Sequence, residues 1–419
     1  MALRPALVWL HRWTGLAMAA FLVVEGLTGS VLAFKDSLEA WVTPELFAAH
    51  RPGASPLRLS ELAAHAEALA PHARVAYFWV QERRAIMRMV PRVNPSTGAP
   101  YALSFDRLFL DPWTGRELGR RREGDLSQGR INLIPFIRRL HTDLATAQPG
   151  ALILGIVALA WTIDCFVGFW LSLPITRSRA LSRWKIAWLV RLKARPVRIN
   201  FDLHRASGLW LWPLWLVFAW SSVMFNLPSV YQPVTRALLG YRSDLDLPRS
   251  LHLRSNASPE LSWDAAEQMG TGRIAGEAKR HGLVVRRPYG MAYIEEWGVY
   301  TYTVLSTEDL QSEGWNTSIW IDGDSGAPLH VELPQEARGG NAVEAWLRAL
   351  HFADLRGSSL YRWLVVVLGL VTVALSATGI YIWLCKWRAR HSSVHQESNM
   401  RAVTRARSDR SWKLLRRSG

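Results

Sequence analysis

Four histidines recur at matching places in this chain of 419 residues. His11 and His204 each sit in a Leu-His-Arg-x-x-Gly stretch, 193 residues apart; His141 in RRLHTDL and His351 in RALHFADL are 210 apart. Neutral imidazole is a ligand for zinc, copper and nickel ions and for haem iron, so histidines that recur in pairs point to a bound metal. Arg12 and Arg205 directly follow the first pair, and Arg138 and Arg348 stand three residues before the second. Guanidinium groups at those positions suit anionic groups such as haem propionates. Gly15 and Gly208 lie four residues beyond their histidines. They share the histidine's helix face and carry no side chain where a flat macrocycle would approach.

The elements that must position these residues are membrane helices. A hydrocarbon core roughly 30 Å thick takes about 20 mostly apolar residues in a helix. Four segments qualify, about 7–34, 150–173, 204–227 and 359–385, and the 22 tryptophans suit helices crossing a membrane surface. The first apolar stretch exceeds a secretory signal and lacks a clear cleavage site, so it reads as a retained helix.

Charge sets the expected orientation. Segment 174–201 holds eight Lys or Arg and no Asp or Glu, and the tail from Lys386 holds ten against Glu397 and Asp409. Each is net +8, and together they make up the whole formal +16. The positive-inside rule puts both, and both chain ends, in the cytoplasm, with 35–149 and 228–358 outside. Positive charge confined to the flanks of membrane helices fits a lipid bilayer partner and argues against nucleic acid. Cys165 and Cys385 fall in the apolar segments, so the outer regions have no disulfide framework. No C-x-x-C-H, iron–sulfur cysteine cluster or cysteine zinc site is present.

The outer regions repeat as well. LFLDPWTGREL matches IWIDGDSGAPL, aligning Asp111 with Asp322 and Gly115 with Gly326 at an offset of 211. Asp bonding its own backbone and Gly supplying positive φ make these structural turns, not catalytic groups. Each outer region reads as a helix followed by antiparallel strands, and each half as helix, outer lobe, short amphipathic helix, helix. With this topology His11 and His204 lie at the cytoplasmic ends of their helices, and His141 and His351 at the outer surface. Two symmetric pairs separated by most of the bilayer suit an electron relay better than a dinuclear site. A lone histidine at a membrane edge is ordinarily an amphipathic anchor, and a glycine in an apolar helix ordinarily serves packing. Four histidines at matching places favour ligation, with a His-bound ion lacking haem as the remaining alternative.

Two ionisable residues fall inside apolar segments, where they are costly and often functional. Glu25 is 14 residues beyond His11 on the same helix and is expected near a ligand or haem edge. Asp164 is near the inner end, where an arginine of the basic loop is its expected partner.

These motifs resemble the PepSY-associated transmembrane family: Leu-His-Arg-x-x-Gly entering a membrane helix, a lobe closing in an aliphatic-Asp-x-x-Thr/Ser-Gly turn, and a second His before the next helix. The resemblance runs through residue 388 and is strongest to inner-membrane ferric-siderophore reductases of the ferrioxamine type. It implies a membrane α-helical fold of four transmembrane helices in two tandem halves, with two periplasmic α+β PepSY-like lobes. The expected organisation is helix 1 within 1–34, lobe 1 over 35–140, and the outer His helix with helix 2 over 141–173. A basic cytoplasmic loop spans 174–203, helix 3 spans 204–227 and lobe 2 spans 228–350. The outer His segment with helix 4 covers 351–385, and the basic tail 386–419.

The resemblance further implies two b-type haems, with His11, His204, His141 and His351 as axial ligands, in a bacterial inner-membrane oxidoreductase. Electrons would pass to a periplasmic ferric siderophore and iron would leave as Fe(II). No G-x-G-x-x-G, P-loop or sizeable cytoplasmic domain is present, so the electron donor is a separate cytoplasmic protein or a quinol. Two other classes compete. One is a non-redox membrane protein whose periplasmic lobes bind a peptide or protease; the other is a transporter built on parallel repeats, which predicts more mid-membrane polar residues than Glu25 and Asp164.

Overall fold

The computed structural model describes residues 3–176, 178–242, 253–314 and 317–415, with side chains up to 388. The side chains of the basic tail beyond that point, and Arg177 of the basic loop, lie outside the described residues. The first half gives α1 (Leu3–Leu32), α2 (Lys35–Val42), α3 (Leu59–Leu69), β1 (Ala73–Gln81), β2 (Arg84–Pro91), β3 (Arg107–Leu110), β4 (Glu117–Arg121), α4 (Leu133–Asp143) and α5 (Gln148–Ser172). After the short α6 (Ala180–Trp184), the second half gives α7 (Pro196–Trp210), α8 (Trp212–Asn226), α9 (Pro228–Leu239), α10 (Trp263–His281), β5 (Val285–Ile294), β6 (Val299–Ser306), β7 (Thr317–Asp322), β8 (Pro328–Glu332), α11 (Gly339–His351) and α12 (Ser359–Leu415). The chain forms two compact units, one of Met1–Gly26, Ala160–Leu216 and Leu370–Gly419, the other of Leu27–Leu159 and Val217–Gly369.

Among the described residues, three helices are long and apolar enough to cross a membrane: α1, α5 and Ser359–Arg388 of α12. The expected continuous span over 204–227 is instead two helices, α7 and α8, bent by 69°. Pro213 explains the break. It has no N–H to give the Leu209 carbonyl, and its ring clashes with that carbonyl in a continuous helix. α7 begins at Pro196, so His204 lies within a helix that includes the end of the basic loop.

The two lobes expected from sequence are one antiparallel sheet of eight strands in the order β4-β3-β2-β1-β5-β6-β7-β8. The seam joins equivalent strands of the two halves, with Tyr77 opposite Ala292, Phe78 opposite Met291 and Trp79 opposite Gly290. A Cβ at Gly290 would collide with the Phe78 carbonyl oxygen, so only glycine permits this close approach. Pairing the two edges also removes the exposed strand that each lobe alone would present.

One core serves both halves. Leu62 and Ala66 of α3, Phe78 and Met87 of β1 and β2, Ile274 of α10, and Met291, Tyr302 and Ile319 of β5–β7 are buried together. Alternation along the strands sends these side chains to the face that α3 and α10 cover. α10 also caps α3: Glu267 accepts from the backbone N–H of Leu59 (3.0 Å) and Ser60 (2.9 Å) at the start of α3. A carboxylate there meets the positive end of the helix dipole.

On the other side, α2 is tied to the sheet through buried Glu39, which accepts from Arg84 at 2.8 Å and also pairs with Arg121. Burial opposes the Glu39 charge, but the two guanidinium groups outweigh it and hold the carboxyl below its usual range. The repeated turns are structural, as read from sequence. Asp111 accepts from Trp113 N at 2.9 Å, and Asp322 from Ser325 N at 2.8 Å.

Candidate functional site

His11 of α1 and His204 of α7 are neighbours, with ring centres 6.2 Å apart. Each ring is held through Nδ1 by the last transmembrane helix of its own half. His11 donates to both carboxylate oxygens of buried Asp164 on α5, each at 2.9 Å. His204 donates to the Leu375 carbonyl at 3.2 Å and lies 3.1 Å from Thr378 Oγ1, both on α12. The Thr378 hydroxyl gives its own proton to Leu375 O at 2.9 Å and so accepts from the ring. Carboxylate and carbonyl oxygens only accept, which places the proton on Nδ1 of both rings and leaves the Nε2 lone pair for a metal.

A glycine lies against each ring: a Cβ at Gly379 would crowd His204 at 3.3 Å from Cε1, whereas one at Gly168 would make ordinary contact with His11 Cε1 at 3.7 Å. The two glycines are 211 residues apart, the offset already seen in the strand turns, and Asp164 and Leu375 share it.

The second pair is built alike. His141 and His351 close α4 and α11, with ring centres 6.1 Å apart. Thr28 Oγ1 lies 2.9 Å from His141 Nδ1, and Ser221 Oγ 2.7 Å from His351 Nδ1. Ser221 gives its proton to Phe218 O at 3.1 Å and therefore accepts from His351. Phe218 and Phe225 flank that ring, at 5.4 and 5.1 Å between centres. Desolvation, and then the neighbouring His141, push His351 down to about 3, so its imidazole is neutral at ordinary pH. Gly29 approaches His141, where a Cβ would sit 3.1 Å from Cε1.

The other candidates divide. A Cβ at Gly15 or Gly208 would meet nothing within 4 Å, so that helix face is open beside His11 and His204. The arginines considered for propionates have protein partners, except that Arg12 is simply half-buried on α1. Arg205 bonds Asp202 at 2.9 Å and the Ile186 carbonyl at 2.8 Å; Arg138 pairs with Glu123; Arg348 bonds Glu344 at 2.8 Å and lies over the Phe225 ring. Asp164 bonds His11 instead of an arginine of the basic loop. Those arginines gather on fully buried Asp202, with Arg191 at 3.6 Å and Arg198 at 3.2 Å. Helical spacing accounts for this, since Arg198 and Arg205 are four residues before and three after Asp202. Glu25 is half-buried on α1.

Sequence reasoning missed Thr28, Ser221, Gly29, Gly168 and Gly379 and gave Asp164 another partner. The signal was available: applying the offset of 193 to Thr28 gives Ser221, and applying 211 to Gly168 gives Gly379.

The ring centres are 6.2 Å apart in the first pair and 6.1 Å in the second, so two imidazoles of each pair would be at hand to hold a metal. Among the described residues no group of three or more His, Cys, Asp or Glu could hold an ion. The two imidazoles of the first pair, with the open helix face at Gly15 and Gly208, would leave room for a planar macrocycle beside His11 and His204.

No curated protein matches the chain. Residues 8–386, which take in both histidine pairs and the whole sheet, match the family described as the PepSY-associated TM region, and the chain belongs to that family.

Proposed function

We propose that this protein is a di-haem b membrane reductase. In this reading it carries electrons from the cytoplasmic side through the His11/His204 site to the His141/His351 site, and on to a periplasmic ferric siderophore. The observation that carries the reading is the repeated pair of imidazoles, each pair about 6 Å between centres and each Nδ1 held by its own partner. Bound haem would supply a one-electron ferric/ferrous couple at each site.

The chain's own residues do the rest. Asp164, Leu375 O, Thr28 and Ser221 fix ring orientation and tautomer, which raises ligand basicity and holds the nitrogens in place. Phe218 and Phe225 limit water around His351, and a drier setting shifts the potential of a bound iron. One electron delivered to a ferric chelate gives Fe(II), which hard-oxygen chelators hold less tightly, so the metal leaves. The basic loop and tail suit the cytoplasmic side by charge, and a separate acidic protein or a quinol supplies the electrons.

The test is direct. Protein reduced chemically and freed of excess reductant is mixed with a ferric hydroxamate siderophore, in the presence of a chromogenic ferrous chelator. Reoxidation of the haem bands with one Fe(II) trapped per electron is the expected result. Haem bands that stay reduced across a panel of ferric siderophores contradict the proposal.

A further inference from the structure

The two halves differ at one place that bears on redox chemistry. At the positions related by the offset of 211, His11 meets a carboxylate, Asp164, where His204 meets a backbone carbonyl, that of Leu375. The remaining two histidines meet hydroxyls, Thr28 and Ser221. From this asymmetry we infer that Asp164 is a positioning residue that lowers the potential of the inner site below that of the outer one, so that electrons run from inner to outer. This rests on the haem reading given above.

The physical reason is the strength of the hydrogen bond. A carboxylate accepting from Nδ1–H gives the ring part of the character of an imidazolate, which favours the higher charge on ferric iron. A hydroxyl or a single carbonyl polarises its imidazole less. The negative charge of Asp164 itself, in an apolar setting, acts in the same direction.

Leu375 occupies the equivalent position in the other half, where its carbonyl and the Thr378 hydroxyl orient His204 without a carboxylate. A buried carboxylate in a transmembrane helix is costly, and retaining one where a carbonyl suffices points to an electronic role.

The experiment is a spectroelectrochemical titration of the full-length protein in detergent, in wild type, Asp164→Asn and Asp164→Glu. A His351→Met variant assigns which midpoint belongs to the outer site. In wild type the inner midpoint should be the lower of the two. Asp164→Asn should raise it, by about tenfold or more in the one-electron equilibrium, which is about 59 mV, and Asp164→Glu, which keeps the carboxylate, should stay closer to the wild-type value. The outer midpoint should stay in place and both haem spectra should remain low-spin. An inner midpoint equal to or above the outer one in wild type overturns the inference without needing any variant. So does an inner midpoint that stays put in Asp164→Asn with both haems bound. Neither outcome touches the haem reading, whereas a colourless wild-type protein removes that reading and this inference together.

Discussion

Thr28 and Ser221 are 193 residues apart, the same spacing as His11 and His204, and they set a hydroxyl oxygen on Nδ1 of His141 and His351, at 2.9 and 2.7 Å. The repeat therefore extends from the ligand candidates to the groups that hold them. Replacing either hydroxyl, in Thr28→Val or Ser221→Ala, removes the hydrogen bond at that ring's Nδ1, at a cost of about 1–3 kcal/mol. Haem retention at the His141/His351 site should weaken about 5- to 150-fold in each, with the His11/His204 site unaffected. Haem transfer to an apo-globin acceptor, followed by absorption, measures this. Retention equal to wild type in both variants would show that the hydroxyls do not orient the rings.

The glycines facing the rings give a second prediction. In Gly379→Leu the new side chain must push His204 aside, and in Gly29→Leu it must push His141, since a Cβ alone comes within 3.3 and 3.1 Å of each ring. Each variant should lose one haem of two per chain, at the site its glycine serves, as read by a pyridine haemochrome assay. Gly15→Ala, on an open helix face, should keep both.

The seam of the sheet gives a third. Gly290→Val forces a branched side chain into the Phe78 carbonyl, and overpacking of this kind costs about 1–3 kcal/mol or more. Thermal unfolding followed by tryptophan fluorescence should show a lower Tm, and added protease should cut the sheet-bearing unit sooner. Gly272→Ala on α10, where a Cβ meets nothing within 4 Å, should show neither change.

Glu39 gives a fourth, with a definite sign. Its folded-state carboxyl titrates below its usual range because Arg84 and Arg121 outweigh the burial that opposes them. Stability from this charge is therefore fully present above the unfolded value of about 4.3 and is lost as pH falls through the lower folded value. Glu39→Gln leaves two buried guanidinium groups without their carboxylate and should cost about 3–5 kcal/mol near neutral pH. The difference in Tm between wild type and Glu39→Gln should shrink as pH drops below about 4. A difference that is constant from neutral pH to pH 3 would mean that the ion pair contributes nothing.

Much of this design was legible in the sequence, and the remainder was hidden for identifiable reasons. Local signals carried the apolar helices, the four histidines and the Asp111 and Asp322 turns, because hydropathy and short spacing report on residues close in the chain. The joined sheet was not legible, since nothing in Tyr77 or Gly290 alone says that their strands will pair across more than 200 residues. The break after Trp210 had a visible cause in Pro213, but an unbroken run of apolar residues around it read as one span. Asp164 was assigned to the nearest positive charge in sequence, when its partner is His11 on α1, 153 residues away. The arginines expected to serve propionates were read without their carboxylates, because Glu123, Glu344 and Asp202 become partners through helix and strand geometry.

The most direct test of the central claim is the visible absorption spectrum of the purified, detergent-solubilised protein, oxidised and reduced, with haem counted per chain in wild type, His11→Ala and His351→Ala. Two low-spin b-type haems in wild type and one in each variant are expected. A wild-type protein that stays colourless when expressed with ample haem, or variants that keep both haems, would contradict the assignment of these histidines as ligands.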